Sequence, residues 1–305
     1  MADVDAVLNR IPSLAGRPRS VEELPGGLTN RNVKVTTPDG VFVVRCNRSD
    51  TRLLGIDREA ESFNTRAAEL AGVGAPFVEF RPELGVLIIG YIDGRTFVDA
   101  DLREPGTLPR VAEACRALHS GPRFANDFDM FARQGFYLRT CVERGFPFPP
   151  DFGMFGADFA RIEAALAVSP VPTVPCNNDL LAGNFVDDGD KLWLIDYEYS
   201  GNNDPFFELG NIWTECGLDD DHLAELVTSY VGHESPVLLA RARLGAVTSR
   251  YGWSLWGFIQ AATLDDDFDF RGWGQERFDM AVADFRSPHF DTWLSTAAGT
   301  TGGGR

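Results

Sequence analysis

No stretch of this 305-residue chain is apolar for long enough to span a membrane. The N-terminus MADVDAVLNRIPSLAG has neither the basic start nor the unbroken apolar run of a secretory signal. A cytoplasmic location follows by default, with no membrane partner expected. Cysteine is scarce: Cys46, Cys115, Cys141, Cys176 and Cys216 are scattered, odd in number and in no CxxC arrangement, which argues against a disulfide framework or a zinc site. The four histidines, His119, His222, His233 and His289, stand in no ligand spacing. Basic residues are also short, 28 against 45 acidic ones, for a net charge of −17. Such a surface repels nucleic acid and favours a cationic small molecule, although acidity serves solubility equally well.

What is present is enough for a sizeable core, with 44% hydrophobic residues and a length that fits one large domain or two lobes. Residues 33–35 and 41–44, joined by Pro38-Asp39-Gly40, read as a hairpin. A helix over 57–70 follows, with Asp57 as N-cap and Gly72 and Gly74 closing it, and then strands at 77–80 and 85–89. Beyond Asp93-Gly94 the period changes, and 108–119, 131–143, 159–167, 221–230 and 236–263 carry helical spacing. The expected organisation is a β-rich lobe over 1–92, a mainly helical lobe over 93–294, and a disordered Gly/Thr-rich tail over 295–305.

Between the helices lies Pro175-Cys-Asn-Asn-Asp-Leu-Leu-Ala-Gly-Asn-Phe185, a loop with an Asp and an Asn five positions apart. A short strand pair after it, turning at 187–190, ends on Asp196. Phosphoryl transfer from ATP uses one carboxylate to orient the attacking hydroxyl, and an Asn and a second Asp to hold the magnesium that bridges the phosphates. Asp179, Asn184 and Asp196 supply that set in that order. Taken alone, the Asp-to-Asn spacing is more readily an Asx-turn in a loop. Upstream, Leu24-Pro-Gly-Gly-Leu-Thr-Asn30 is a Gly-rich turn where Gly26 and Gly27 would let backbone N–H groups near phosphates, or simply close a hairpin. Arg45 closes an apolar run two strands on, and the next helix offers Glu59 or Glu61 as its ion-pair partner.

In these segments the chain resembles the choline/ethanolamine kinases, within the aminoglycoside-phosphotransferase-like small-molecule kinases. Asn178-Asp-Leu-Leu-Ala-Gly-Asn184, the run LIDYEYSGNNDPFFELGNIWTEC over 194–216, WSLWGFIQA over 253–261 and Arg277-Phe278-Asp279 carry the resemblance, which spans about 24–288. It implies a two-lobed, protein-kinase-like α+β fold and transfer of the γ-phosphate of ATP, with Mg2+, to the hydroxyl of choline. The alternatives are ethanolamine, another amino-alcohol or an aminoglycoside as acceptor, or a non-catalytic small-molecule-binding module. The resemblance makes Asp179 the catalytic base, Asn184 and Asp196 the magnesium ligands, and Arg45 with Glu61 the phosphate-binding pair. Gly26, Gly27, Thr29 and Asn30 then form the nucleotide turn. Tyr199, Glu215, Trp253, Trp256 and Trp273 line the acceptor pocket, where ring faces meet a quaternary ammonium. From spacing alone, Trp253 and Trp256 are more readily core residues. One departure stands out: Asn177 sits where the family carries His.

Overall fold

The computed structural model describes residues 4–25, 27, 29–47 and 51–299. A short helix α1 (Val4–Leu8) precedes strands β1 (Ser20–Leu24), β2 (Asn30–Thr37) and β3 (Gly40–Asn47), helix α2 (Arg58–Leu70), and strands β4 (Phe77–Arg81) and β5 (Val86–Gly90). The strands form one antiparallel sheet in the order β1-β2-β3-β5-β4. Thr37 closes the β2–β3 turn, its hydroxyl donating to Gly40 O and accepting from Asp39 N. Strand β5 is apolar on both sides, and a strand of that composition needs cover on both faces. Val86 and Ile88 pack with Leu8, Ile11, Leu14, Val33, Val35 and Val44, while Leu87 and Ile89 pack with Ala75 on the opposite face. Asp57 caps α2 as the sequence predicts, accepting from the N–H groups of Glu59 and Ala60.

The chain continues through β6 (Arg95–Thr96), α3 (Thr107–His119), α4 (Met130–Arg144), α5 (Gly156–Val168), β7 (Val174–Cys176), β8 (Phe185–Asp187) and β9 (Leu192–Leu194). It ends with β10 (Gly201–Asn203), α6 (Pro205–Glu215), α7 (Asp220–Val231), α8 (Pro236–Thr263), α9 (Phe270–Phe285) and α10 (Phe290–Ala297). This is the expected two-lobed α+β architecture. No helix among the described residues is long and apolar enough to cross a membrane. One expectation is corrected. Residues 295–297, assigned from composition to a disordered tail, complete α10, because Leu294 and Ala297 are buried in the aromatic-rich core. Ala298 and Gly299 close its last turn, and the rest of that call, 300–305, lies outside the described residues.

Polar ties join the lobes. Asn64 of α2 donates to Ser200 Oγ at 2.9 Å and Asn126 Oδ1 at 2.9 Å, and its own oxygen accepts from Ala125 N at 2.9 Å. Leu194 N donates to Val73 O at 2.8 Å.

Helix α8 is the axis of the larger lobe, buried on nearly every side from Ala240 to Gln260. Its neighbours approach closely because glycine stands at the crossings. A Cβ on Gly245 would lie 2.8 Å from Phe206 O, and one on Gly210 of α6 would lie 2.6 Å from Ala246 N. Gly257 and Gly274 make the equivalent contact between α8 and α9, where a Cβ on Gly257 would sit 2.8 Å from Gly274 Cα. These crossings set how Glu208 and Glu215 of α6, Trp253 and Trp256 of α8, and Trp273 and Arg277 of α9 face one another. Gly210→Ala forces backbone against backbone, so we expect a loss of about 1–3 kcal/mol or more in stability, read by urea or thermal unfolding.

Candidate active site

Strands β7 and β10 pair antiparallel and launch the loop that carries Asp179. Asn178 and Asp196 are the two non-glycine residues with positive φ among the described residues, at 67° and 66°. Left-handed backbone at Asn or Asp is uncommon and persists where the surroundings enforce it. Asn178 is fully buried, and its N–H donates to Glu208 Oε2 at 2.6 Å while its amide donates to Cys176 O and Tyr199 O, each at 3.2 Å. Glu208 Oε1 in turn meets His119 Nε2 at 2.9 Å, and His119 Nδ1 meets Tyr230 Oη at 2.8 Å. His119, Cys176 and Glu208 cluster closely enough to suggest a metal site. Both ring nitrogens and both carboxylate oxygens already have partners, so the trio is read as the buttress of the loop.

Asn177, the departure from the family pattern, ties the two chemical segments together. Its amide donates to Asp196 O at 2.8 Å and Ile195 O at 3.1 Å, and its oxygen accepts from Asp179 N at 3.1 Å. A neutral histidine has one donor and one acceptor and can make the same pair of links. Asn184 Nδ2 donates to Asp179 O at 2.8 Å, so the amide oxygen is the atom Asn184 can offer a cation.

At the sheet end, Arg45 points from β3 toward the same place. Its Nη2 lies 2.7 Å from Asp196 Oδ1, 3.5 Å from Glu61 Oε1 and 3.7 Å from Glu198 Oε2. Arg58 joins it, 2.6 Å from Glu61 and 3.2 Å from Glu198. Thr29 Oγ1 and Asn30 Nδ2 donate to Glu198 at 2.6 and 2.9 Å, so in this state a carboxylate engages both turn side chains expected to meet phosphate. Gly27 is required there, since a Cβ would collide with Asn30 O. Gly26 lies outside the described residues. Beside the Arg45–Asp196 pair lies a small cavity of about 10 Å³, lined also by Ala75, Leu87, Ile89, Leu194 and Ile195.

Electrostatics follow from crowding. Burial, reinforced by Asp196, Glu215 and Glu198, holds the Asp179 carboxyl well above the usual carboxylate range. Burial and Asp196 push Glu198 up to about 7. Burial alone would lower the Arg45 pKa, yet the surrounding carboxylates raise it. Two guanidiniums thus face Glu61, Asp196 and Glu198, with Asp179 close by. An excess of oxygen donors of this kind fits a hard divalent cation. Among the described residues, Arg45 Nε and Arg58 Nε are buried donors with no hydrogen-bond partner, which fits an anionic ligand beside them.

The acceptor side is aromatic. Trp256 Nε1 donates to Tyr199 Oη at 2.7 Å, and the Trp256 ring lies edge-on to Trp273 at 5.4 Å. Trp253 packs against Tyr199 at 4.8 Å, but Phe128 and Tyr137 flank it as well, so its ring is largely core. Trp273 is half-buried and carries the Arg277 guanidinium 4.8 Å from its ring centre. Glu215 is bound by Arg277 through both oxygens, at 3.2 and 3.0 Å. The structure therefore gathers Tyr199, Glu215, Trp253, Trp256 and Trp273 into one cluster, although only part of it is open.

The model of the choline/ethanolamine kinase family matches residues 21–231. This chain belongs to that family. It is accordingly an ATP-dependent phosphotransferase with an alcohol group as acceptor. A solved choline/ethanolamine kinase family protein from Mesorhizobium loti is 32% identical, with a TM-score of 0.84 over 97% of this chain and 98% of that one. Protein LicA of Haemophilus influenzae is 29% identical over 228 residues, 72% of this chain and 66% of its own length. A probable ethanolamine kinase of Arabidopsis thaliana is 26% identical, covering 83% and 76%.

Sequence reading passed over Glu198, Arg58, Glu208, His119 and the clamp on Glu215. For Glu198 a signal existed, since it stands two residues after Asp196 in the same segment. None existed for His119, whose partner is 89 positions away. Because Asn177 holds Asp179 and Asp196 in register, Asn177→Ala should lower turnover about tenfold to a hundredfold, and Asn177→His should restore most of it. Steady-state rates of the two variants, compared with the parent, check this.

Proposed function

We propose that the protein transfers the γ-phosphate of ATP to the hydroxyl of choline, with Mg2+. The observation that carries this reading is the convergence of Asp179, Asn184 and Asp196 beneath Arg45, next to a wall of Tyr199, Trp256 and Trp273. In it, residues 1–92 hold the nucleotide and 93–294 carry the catalytic loop and the acceptor pocket. Thr29, Asn30 and the Gly26-Gly27 turn approach the phosphates once Glu198 releases them, and Arg45, held by Glu61, neutralises phosphate charge. Asn184 and Asp196 would hold the magnesium, which would supply positive charge to offset that of the phosphate oxygens. Asp179 accepts a hydrogen bond from the choline hydroxyl and takes its proton as the phosphoryl group moves across. Burial and the neighbouring carboxylates hold its pKa up, and a divalent cation held beside it would favour its ionised form. Ring faces supply what a trimethylammonium group, lacking any N–H, can use. Five unpaired thiols suit a reducing cytoplasm.

Turnover with choline, ethanolamine and an aminoglycoside panel tests the acceptor, and the reading expects choline to give the highest kcat/KM. Asp179→Asn should lower kcat by about 10²–10⁴-fold while nucleotide affinity stays near the parent's. Loss of only a few-fold would remove Asp179 from the role of base. Asp196→Ala should shift the magnesium titration of activity to clearly higher concentration. An unshifted curve would place the metal elsewhere.

A further inference from the structure

Strand β2 is polar on one face only. Val33 and Val35 are buried with Leu8, Ile11 and Leu14, whereas Asn30, Asn32 and Lys34 alternate onto the opposite face, the one that carries Arg45. The register fixes which face each residue takes: Asn32 stands opposite Arg45, Lys34 opposite Val43, and Val43 opposite Ile89. Beside Lys34 the apolar cover is incomplete, since Val43 and Ile92 are only half-buried where they pack with Ala75, Leu87 and Ile89. Lys34 itself has no ion-pair or hydrogen-bond partner among the described residues, in a chain with 45 acidic side chains. Its Nζ lies instead 4.0 Å from the centre of the Tyr91 ring. Tyr91 opens the segment between β5 and β6 that joins the lobes, and its N–H donates to Val41 O at 3.0 Å.

We propose that Lys34 is a nucleobase-binding residue which, held by Tyr91, covers the base of the bound nucleotide with its ammonium group. This rests on the nucleotide reading given above, in which Thr29, Asn30 and Arg45 meet the phosphates. Lys34 lies four residues beyond Asn30, about 13 Å along an extended strand, and that matches the reach of a nucleotide from its phosphates to its base. There Val43 and Ile92 offer apolar surface to a planar ring, and the ammonium is drawn to the ring's π-electrons as it is to those of Tyr91. Tyr91 holds the cation from one side and the base meets it from the other. Packing alone does not account for the charge. A methionine would cover Tyr91 as well, and no carboxylate among the described residues answers the ammonium.

The test is the affinity of the full chain for MgADP by calorimetry, with kcat and KM for MgATP, in the parent, Lys34→Met and Lys34→Arg, each accompanied by a thermal unfolding curve. Lys34→Met keeps the stem and removes the charge, and should weaken MgADP binding and raise KM for ATP about three- to tenfold, the loss falling on KM rather than on kcat. Lys34→Arg keeps a cation for the ring faces and should retain most of the affinity. Inorganic tripolyphosphate with Mg2+ has no base, and its inhibition constant should be the same for the parent and Lys34→Met. A folded Lys34→Met protein with unaltered MgADP affinity would overturn the inference and leave the kinase reading standing. So would equal losses for MgADP and tripolyphosphate, which would put the charge on the phosphates. A loss shared by Lys34→Arg and matched by a lower unfolding midpoint would also overturn it, making Lys34 a packing residue of the sheet. A parent that binds no MgADP and turns over no ATP would overturn both this inference and the function proposed above.

Discussion

A buried arginine facing more negative charge than it can neutralise is the constraint from which the rest of the site follows. Arg45 is 6% exposed and lies against Asp196, Glu61 and Glu198 at once, with Arg58 as the second cation of the group. Removing any of these charges would leave another unpaired in a poorly solvated place, which is why sheet, α2 and the 196–198 segment keep their positions relative to one another. The remaining imbalance is chemical potential for ligands. Carboxylates forced together disfavour their own ionised forms, and among the described residues the buried Nε atoms of Arg45 and Arg58 have no hydrogen-bond partner.

Rigid backbone does the remaining positioning. Asn178 and Asp196 hold left-handed conformations, and each is fastened from outside its own segment, Asn178 by Glu208 and Asp196 by Asn177. Glu208 is itself fixed by His119. Because α6 carries Glu208 at one point and Glu215 two turns later, and packs on α8 through Gly210 and Gly245, loop geometry and acceptor wall share one scaffold. Catalysis that works by placement and charge neutralisation has most to gain from such shared support.

Much of this was legible beforehand. The sheet hairpin, the Asp57 cap and the 236–263 helix follow from local rules of turn chemistry, capping and period. The order Gly-rich turn, Arg45, Glu61, Asp179, Asn184, Asp196 was enough to point to the chemistry. Helices α9 and α10 escaped. No helix was expected over α9, where Gly274 brings the helix backbone to Ser254 O at a Cβ-excluding distance. The end of α10 read as tail, because small residues carry no periodic signal until a core is there to bury them.

The sequence by itself determined which groups are available: an Asp–Asn–Asp set of oxygen ligands, an arginine at a strand end, tryptophans three apart, and an acidic balance suited to a cation. Those depend on residue type and short-range spacing. Only the tertiary structure decided how the groups are used. It put Glu198 on Thr29 and Asn30, packed Trp253 against Tyr137 and Phe128 and Trp256 against Trp273, and paired Glu215 with Arg277, 62 residues later. Such pairings form where helices cross, and a crossing is set by backbone approach at a few glycines, which no local pattern records.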